Sequence, residues 1–568
     1  MSSTAGRATV AETIAEIVVE RAADRAFVFP GGGSNLELID ALERCGVGVV
    51  LSRSEGAAAL MAASYADLVG RPALLLVGLG PGTTSVVNGL AHALLDQSAV
   101  VMIGDRFTDA EAARTGHQVV NQIALLSTVT KWQATLSPEG AANAVRRAFS
   151  VAASTPRGPV HLELDHSVAL APAAPAELAD APDVSEGRLG ESGSGPPPAR
   201  DHSTLAAAAS VVTAARRPVV LVGDEVLDAR RRPLIALLER LGAPVLCSYK
   251  GKGAVPEEHP LWCGIVTNAA LEASLLEAAD AILAIGLDPV ELLSRPWPAS
   301  APVVALREHA EASPGYEPEH VLVGDLADLV DALHTSLGQP ASDWSAAEIA
   351  ETRAGMLAAL RIPSPDSLTA LAVVEEVQAQ APPTTTVTVD AGAHMLAVTW
   401  GWRSSLPRRF LISNGLATMG FALPAAVAAA LARPTEPVIA FTGDGGLLLH
   451  GGELETAARI GARLLVMVLN DSSLSLIRVK QEERGYRRTG VDFRAVDAAG
   501  FGRSLGAVGF TARTAEELRT AIGAALTQSR PAVLDVRISG SEYGELQRVI
   551  RGTGARSQTL SGASVCLR

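Results

Sequence analysis

The segment AFTGDGGLLLHGGELETAARIGARLLVMVLNDSS (440–473) holds the residues best spaced for chemistry. An apolar run ends in Gly443-Asp444-Gly445-Gly446, an amphipathic stretch follows, and a second apolar run ends in Asn470-Asp471. Read as two adjacent parallel strands joined by a helix, it delivers the carboxylates of Asp444 and Asp471 to one carboxyl edge, where α/β sheets bind ligands. Two hard oxygen donors suit Mg²⁺, and glycines at a helix N-terminus let a diphosphate approach the backbone N–H groups. Either half alone is an ordinary turn or N-cap. The pair, 27 residues apart, points to a metal and a phosphate.

The elements that position such an edge are legible as alternation. Short apolar runs (AFVF at 26–29, GVVLS, PALLLVG) alternate with longer Ala-rich segments (SNLELIDALERC, EGAAALMAASYADLVG), the pattern of a doubly wound parallel sheet. Three such α/β blocks are expected, at 1–170, 203–338 and 365–545. Between the first two, residues 171–202 are rich in Pro, Ala, Ser and Gly and read as a linker, and 546–568 reads as a tail. Glycine-rich turns precede Ala-rich stretches in the first and third blocks, GLGPGTTSVVNGLAHALL and SNGLATMGFALPAAVAAAL, which suggests a faint duplication.

Composition narrows the function. At 568 residues, with 48% hydrophobic and 19% charged residues, the chain can bury several cores. A net charge of −14 without a basic block disfavours nucleic acid and makes a small molecule the expected partner. Four scattered cysteines, Cys45, Cys247, Cys263 and Cys566, form no CxxC pair, so neither a disulfide framework nor a zinc site is expected. No signal peptide or long apolar span is read, and a soluble, cytoplasmic protein without a membrane partner is the expectation.

GDG followed after about 25 residues by Asn and an acid or amide resembles the thiamine-diphosphate motif. The whole chain is similar to the acetolactate synthase branch of that superfamily. The resemblance implies three domains, pyrimidine-binding, central and diphosphate-binding, and thiamine diphosphate with Mg²⁺ as cofactors. It makes Asp444, Asp471 and the Ser473 carbonyl the metal ligands, with Gly445 and Gly446 at the diphosphate. Asn is more usual at position 471; an Asp keeps the oxygen donor and adds charge.

The same resemblance gives roles elsewhere. Glu55, in SRSEGAAALMAASYA, would hydrogen-bond N1′ of the aminopyrimidine, although Ser54 stands where the family usually has His. By itself, Glu55 is an ordinary acid opening a helix. Gly32, in FPGGGSN, lies 23 residues before it, in a strand-to-helix turn expected to need positive φ, with N–H groups facing developing negative charge. Gln118 and Lys131 would lie near the substrate pocket, Lys131 being equally readable as a surface or structural residue. Gly392, Ala393 and His394 would contact the phosphates, while Ala417 and Met419 would line the rings, Met419 enforcing a bent cofactor. In LSLIRVKQEERGYRRTGVDF (474–493), Ile477 and Gln481 are candidates for setting donor size, and Glu482, Glu483, Arg487 and Arg488 read as a solvated face.

The implied reaction is decarboxylation of a 2-oxo acid such as pyruvate followed by carboligation, as in 2-acetolactate formation, within a homodimer or tetramer whose sites lie between subunits. A decarboxylase or C–C lyase acting on another substrate is the alternative. RPVVLVGDEVLDA contains no G-x-G-x-x-G, so FAD is not expected, though not excluded. A dehydrogenase is disfavoured because GLGPGTTS lacks the dinucleotide spacing. Glu55, Asp444 and Asp471 argue against a degenerate, purely regulatory homologue.

Overall fold

The computed structural model describes residues 7–174, 202–226, 231–310, 315–364 and 368–552. Most of the expected linker (175–201) and of the tail (553–568) lies outside these, as does Cys566. Three parallel six-stranded sheets form, each flanked by helices. The first contains β1 (Arg25–Phe29), β2 (Gly48–Leu51), β3 (Ala73–Val77), β4 (Val100–Asp105), β5 (Trp132–Thr135) and β6 (Val160–Leu164), in the order β2-β1-β3-β4-β6-β5. Central strands such as β3, ALLLV, are buried throughout, because a parallel sheet with helices on both faces leaves neither side wet.

The second sheet contains β7 (Pro218–Val222), β8 (Val245–Cys247), β9 (Trp262–Ile265), β10 (Ala281–Ile285), β11 (Val303–Arg307) and β12 (His320–Val323). Its order, β12-β11-β10-β7-β8-β9, is that of dinucleotide-binding folds, yet the turn after β7 reads Gly223-Asp224-Glu225, without the glycine fingerprint. The order fixes an architecture, not a ligand.

The third sheet contains β13 (Thr386–Val389), β14 (Phe410–Ile412), β15 (Val438–Gly443), β16 (Leu465–Asn470), β17 (Val508–Ala512) and β18 (Ala532–Arg537). Its order, β14-β13-β15-β16-β18-β17, repeats that of the first sheet strand for strand. The duplication faint in sequence is therefore plain in topology. The helix Tyr543–Arg551 runs across the expected start of the tail and buries Tyr543, Leu546 and Ile550. Among the described residues no helix is long and apolar enough to cross a membrane.

Candidate active site

Four neighbouring strands of the third sheet end at one edge, and each turn there carries expected site residues. β15 and β16 are parallel neighbours, with Gly443 opposite Leu469, so Asp444 and Asp471 emerge side by side. Asp444, only 1% exposed, opens the helix Asp444–His450. Its carboxylate accepts from Ser472 N (2.6 Å) and Gly445 N (2.8 Å). Burial and the neighbouring Asp471 push its pKa up to about 6. Burial also raises Asp471, whose Oδ2 accepts from Ser475 Oγ. Two partly desolvated carboxylates side by side, one raising the other's proton affinity, form a natural cation seat. Among the described residues no three His, Cys, Asp or Glu side chains are grouped to hold a metal.

Beside the pair, β13 leads through Asp390–Ala393 into the helix His394–Gly401. His394 is 5% exposed, burial pushes its pKa down to about 4, and its Nε2 has no hydrogen-bond partner. Glycines at these turns leave no space for a side chain of their own. A Cβ on Gly392 would stand 2.7 Å from the His394 ring, and one on Gly445 would stand 2.9 Å from Leu474 and 3.6 Å from the Met419 methyl. The turn after β14 brings Met419 over this helix start, with Ala417 in left-handed backbone at φ +52°.

The first sheet builds an equivalent edge. Glu55 opens the helix Glu55–Val69 after β2, and its Oε1 lies 3.5 Å from where Gly82 would carry a Cβ. Gly31–Gly33 follow β1, and the turn Gly78–Gly82 follows the adjacent β3. Gln118, exposed and left-handed at φ +60°, lays its carbonyl over Gly80. Within one chain this cluster meets the far end of the Asp444–His450 helix: Ser54 Oγ is 3.4 Å from His450 Nδ1, and Arg53 N donates to Glu453 (2.8 Å). That end is roughly 9 Å along the axis from Asp444.

Residues 8–125, 205–333 and 390–536 match the N-terminal TPP binding, central and C-terminal TPP binding domains of thiamine pyrophosphate enzymes. The chain belongs to this family. It is 28% identical over 549 residues to the acetolactate synthase of Bacillus subtilis, covering 94% of this chain and 93% of that one. With a protein named probable 2-ketoarginine decarboxylase from Pseudomonas aeruginosa it shares 30% identity over 539 residues, covering 93% and 94%. Against the acetolactate synthase isozyme 3 large subunit of Escherichia coli the figures are 27% over 578 residues, 97% and 98%. It is thus a thiamine-diphosphate-dependent carboligase or decarboxylase, and the three matches fall on the three sheets.

One expectation changes on this thiamine-diphosphate fold, and the local partners of several other residues come into view. None of Gly31, Gly32 and Gly33 has positive φ. Glycine is needed at 31 for close approach instead, since a Cβ there would collide with Asp105 and stand 2.8 Å from Gly78, whereas Gly32 has open space. Lys131 is structural: its Nζ donates to the carbonyls of Val151 and Ser154 (2.8 Å each) and of Pro156 where the helix Ala141–Ala153 ends. Gln481 staples its own loop, donating to Thr489 O (2.9 Å), while Ile477 is 45% exposed. Ser54 acts as the N-cap of the Glu55 helix, accepting from Ala57 N (3.2 Å).

Other residues had no sequence signal. Asp105, at the end of β4, gathers Ser34 Oγ (2.6 Å), Asn35 N (2.8 Å), Asn35 Nδ2 (2.9 Å) and Gly33 N (3.3 Å), fixing the glycine turn. Asp390 does the same for the turn that follows Met419, accepting from Gly420 N (2.7 Å), Phe421 N (3.2 Å) and Thr442 Oγ1 (2.8 Å). A Cβ on Gly446 would strike it. A buried glutamine at this edge is Gln122, which accepts from Gly80 N (3.0 Å) and Thr83 Oγ1 (2.6 Å) and donates to Asp105 O (3.0 Å).

Proposed function

We propose that the chain catalyses thiamine-diphosphate- and Mg²⁺-dependent decarboxylation of a 2-oxo acid with carboligation, two pyruvates giving 2-acetolactate and CO₂. The observation that carries this is the pairing of buried Asp444 with Asp471 beside the unpartnered His394 Nε2 and the glycines 392, 445 and 446. Asp444, Asp471 and the Ser473 carbonyl would hold the metal. Gly392, Ala393 and His394 would bind the phosphates, and Ala417 and Met419 the rings. Bound thiamine diphosphate supplies an electron sink for the breaking carbon–carbon bond. Glu55 would hold a proton at the aminopyrimidine N1′, the Gly32 N–H would face developing negative charge, and Gln118 would face the substrate.

A homodimer or tetramer completes the site in this proposal. Glu55 adjoins the wrong end of its own chain's Asp444 helix, and Leu448 and Leu449 on that helix are 52% and 56% exposed, which suits a second copy. A second reading, decarboxylation of a different 2-oxo acid, is favoured by the similarity to the probable 2-ketoarginine decarboxylase. Purified protein with thiamine diphosphate, Mg²⁺ and pyruvate should release CO₂ and form acetolactate, and Glu55→Ala should lose both. Cofactor binding without pyruvate turnover would move the assignment to another 2-oxo acid. Absence of cofactor binding would overturn it.

A further inference from the structure

Asn88, His92 and Asp96 stand four residues apart, on one face of the helix Val87–Leu95 and its C-cap. All three grip the segment 413–418 of the third domain. Thr418 Oγ1 donates to Asn88 Oδ1 (2.8 Å), His92 Nδ1 lies 3.0 Å from Ser413 Oγ, and Asn414 N donates to Asp96 Oδ1 (3.2 Å). The segment closes on itself through Thr418 N to Ser413 Oγ (3.1 Å). Asp96 Oδ2 is 2.9 Å from His92 Nδ1, and its Oδ1 lies 3.3 Å from Lys250 Nζ, which ties the central domain to the same point. His92, Asp96 and Ser413 are at most 4% exposed. Gly415 packs on the same helix, where a Cβ would stand 2.7 Å from the Leu95 side chain.

What this grip holds is a strained turn. Ala417, at φ +52°, occupies left-handed backbone that alanine disfavours, and such conformations persist only when their surroundings over-determine them. We propose that Asn88, His92 and Asp96 are positioning residues that impose the shape of segment 413–418 and so pre-form the seat of the cofactor's rings. This rests on the placement of Ala417 and Met419 at those rings.

Titration of the full-length protein with thiamine diphosphate in saturating Mg²⁺, followed by quenching of intrinsic fluorescence, tests it without turnover. His92→Ala should raise the cofactor Kd about tenfold, and Asn88→Ala several-fold, the scale of one strained backbone residue. In an Ala417→Gly background, where the left-handed turn carries no penalty, the same substitutions should change Kd by less than about twofold. Equal factors in both backgrounds, or no change in Kd, would overturn the proposal. Should His92→Ala fail to fold, Asn88→Ala, at an exposed position, carries the test. Met419→Ala separates the two levels. If it leaves Kd unchanged, the ring placement falls and the proposal with it; if Met419 matters and the helix residues do not, only the proposal falls.

Discussion

Asp444 and Asp471 make the metal-free site sensitive to pH. With the cation chelated, folded Asp444 keeps its proton to about pH 6, whereas the unfolded chain releases it near 3.8. Between these values the folded state binds the extra proton, so stability falls as pH rises from about 4 to about 6. Thermal melts of metal-free protein across that window should show the decline, and Asp444→Asn should flatten it. On the proposed metal role, Mg²⁺ should then stabilise most above about pH 6, where the Asp444 carboxylate is ionised. The pair was legible because its glycines and spacing are local in sequence. Asp105 and Asp390 were not, because each gains its meaning from donors on distant turns: Ser34 and Asn35 for one, Gly420, Phe421 and Thr442 for the other.

At the scale of elements, the strand-to-helix alternation was legible because apolar runs and Ala-rich stretches differ so sharply. The helix Glu55–Val69 starts at the Ser54 cap, stops at Gly70 in left-handed backbone, and buries Ala57 to Ala66. Its small side chains share a core with Ala422 to Ala430 of the helix Ala422–Ala432, a pairing between distant segments that no local pattern announces. Lys131 illustrates the same limit. Its sequence left it open between a substrate pocket and a structural role, and its ammonium closes the C-terminal carbonyls of a helix, where a cation is favourable. Lys131→Met should therefore lower stability by about 1–3 kcal/mol, through unsatisfied carbonyls. KM and kcat, measured where the protein stays folded, should not move.

Across the whole molecule, the third domain shares one apolar core with the first and another with the second. At the second of these junctions the segment around Lys252 packs on the chain entering β14. Lys252 and Glu257 pair at 2.6 Å with both side chains fully buried, and the Lys252 ammonium sits 5.3 Å from the centre of the Phe410 ring. Taking two charges out of water costs nearly what their attraction returns, so the pair contributes little net stability, but either charge left alone is expensive. Lys252→Met should destabilise by about 3–5 kcal/mol, as should Glu257→Gln, each visible as a lower apparent Tm at fixed scan rate. Lys252→Met combined with Glu257→Leu should recover most of that loss, because the apolar pair fills the same space without a charge. On the proposed ring placement the recovery matters for catalysis too, since β14 leads directly into the turn that carries Ala417 and Met419. If the junction transmits its order to that turn, each single substitution should also weaken thiamine diphosphate binding, and the double substitution should restore it.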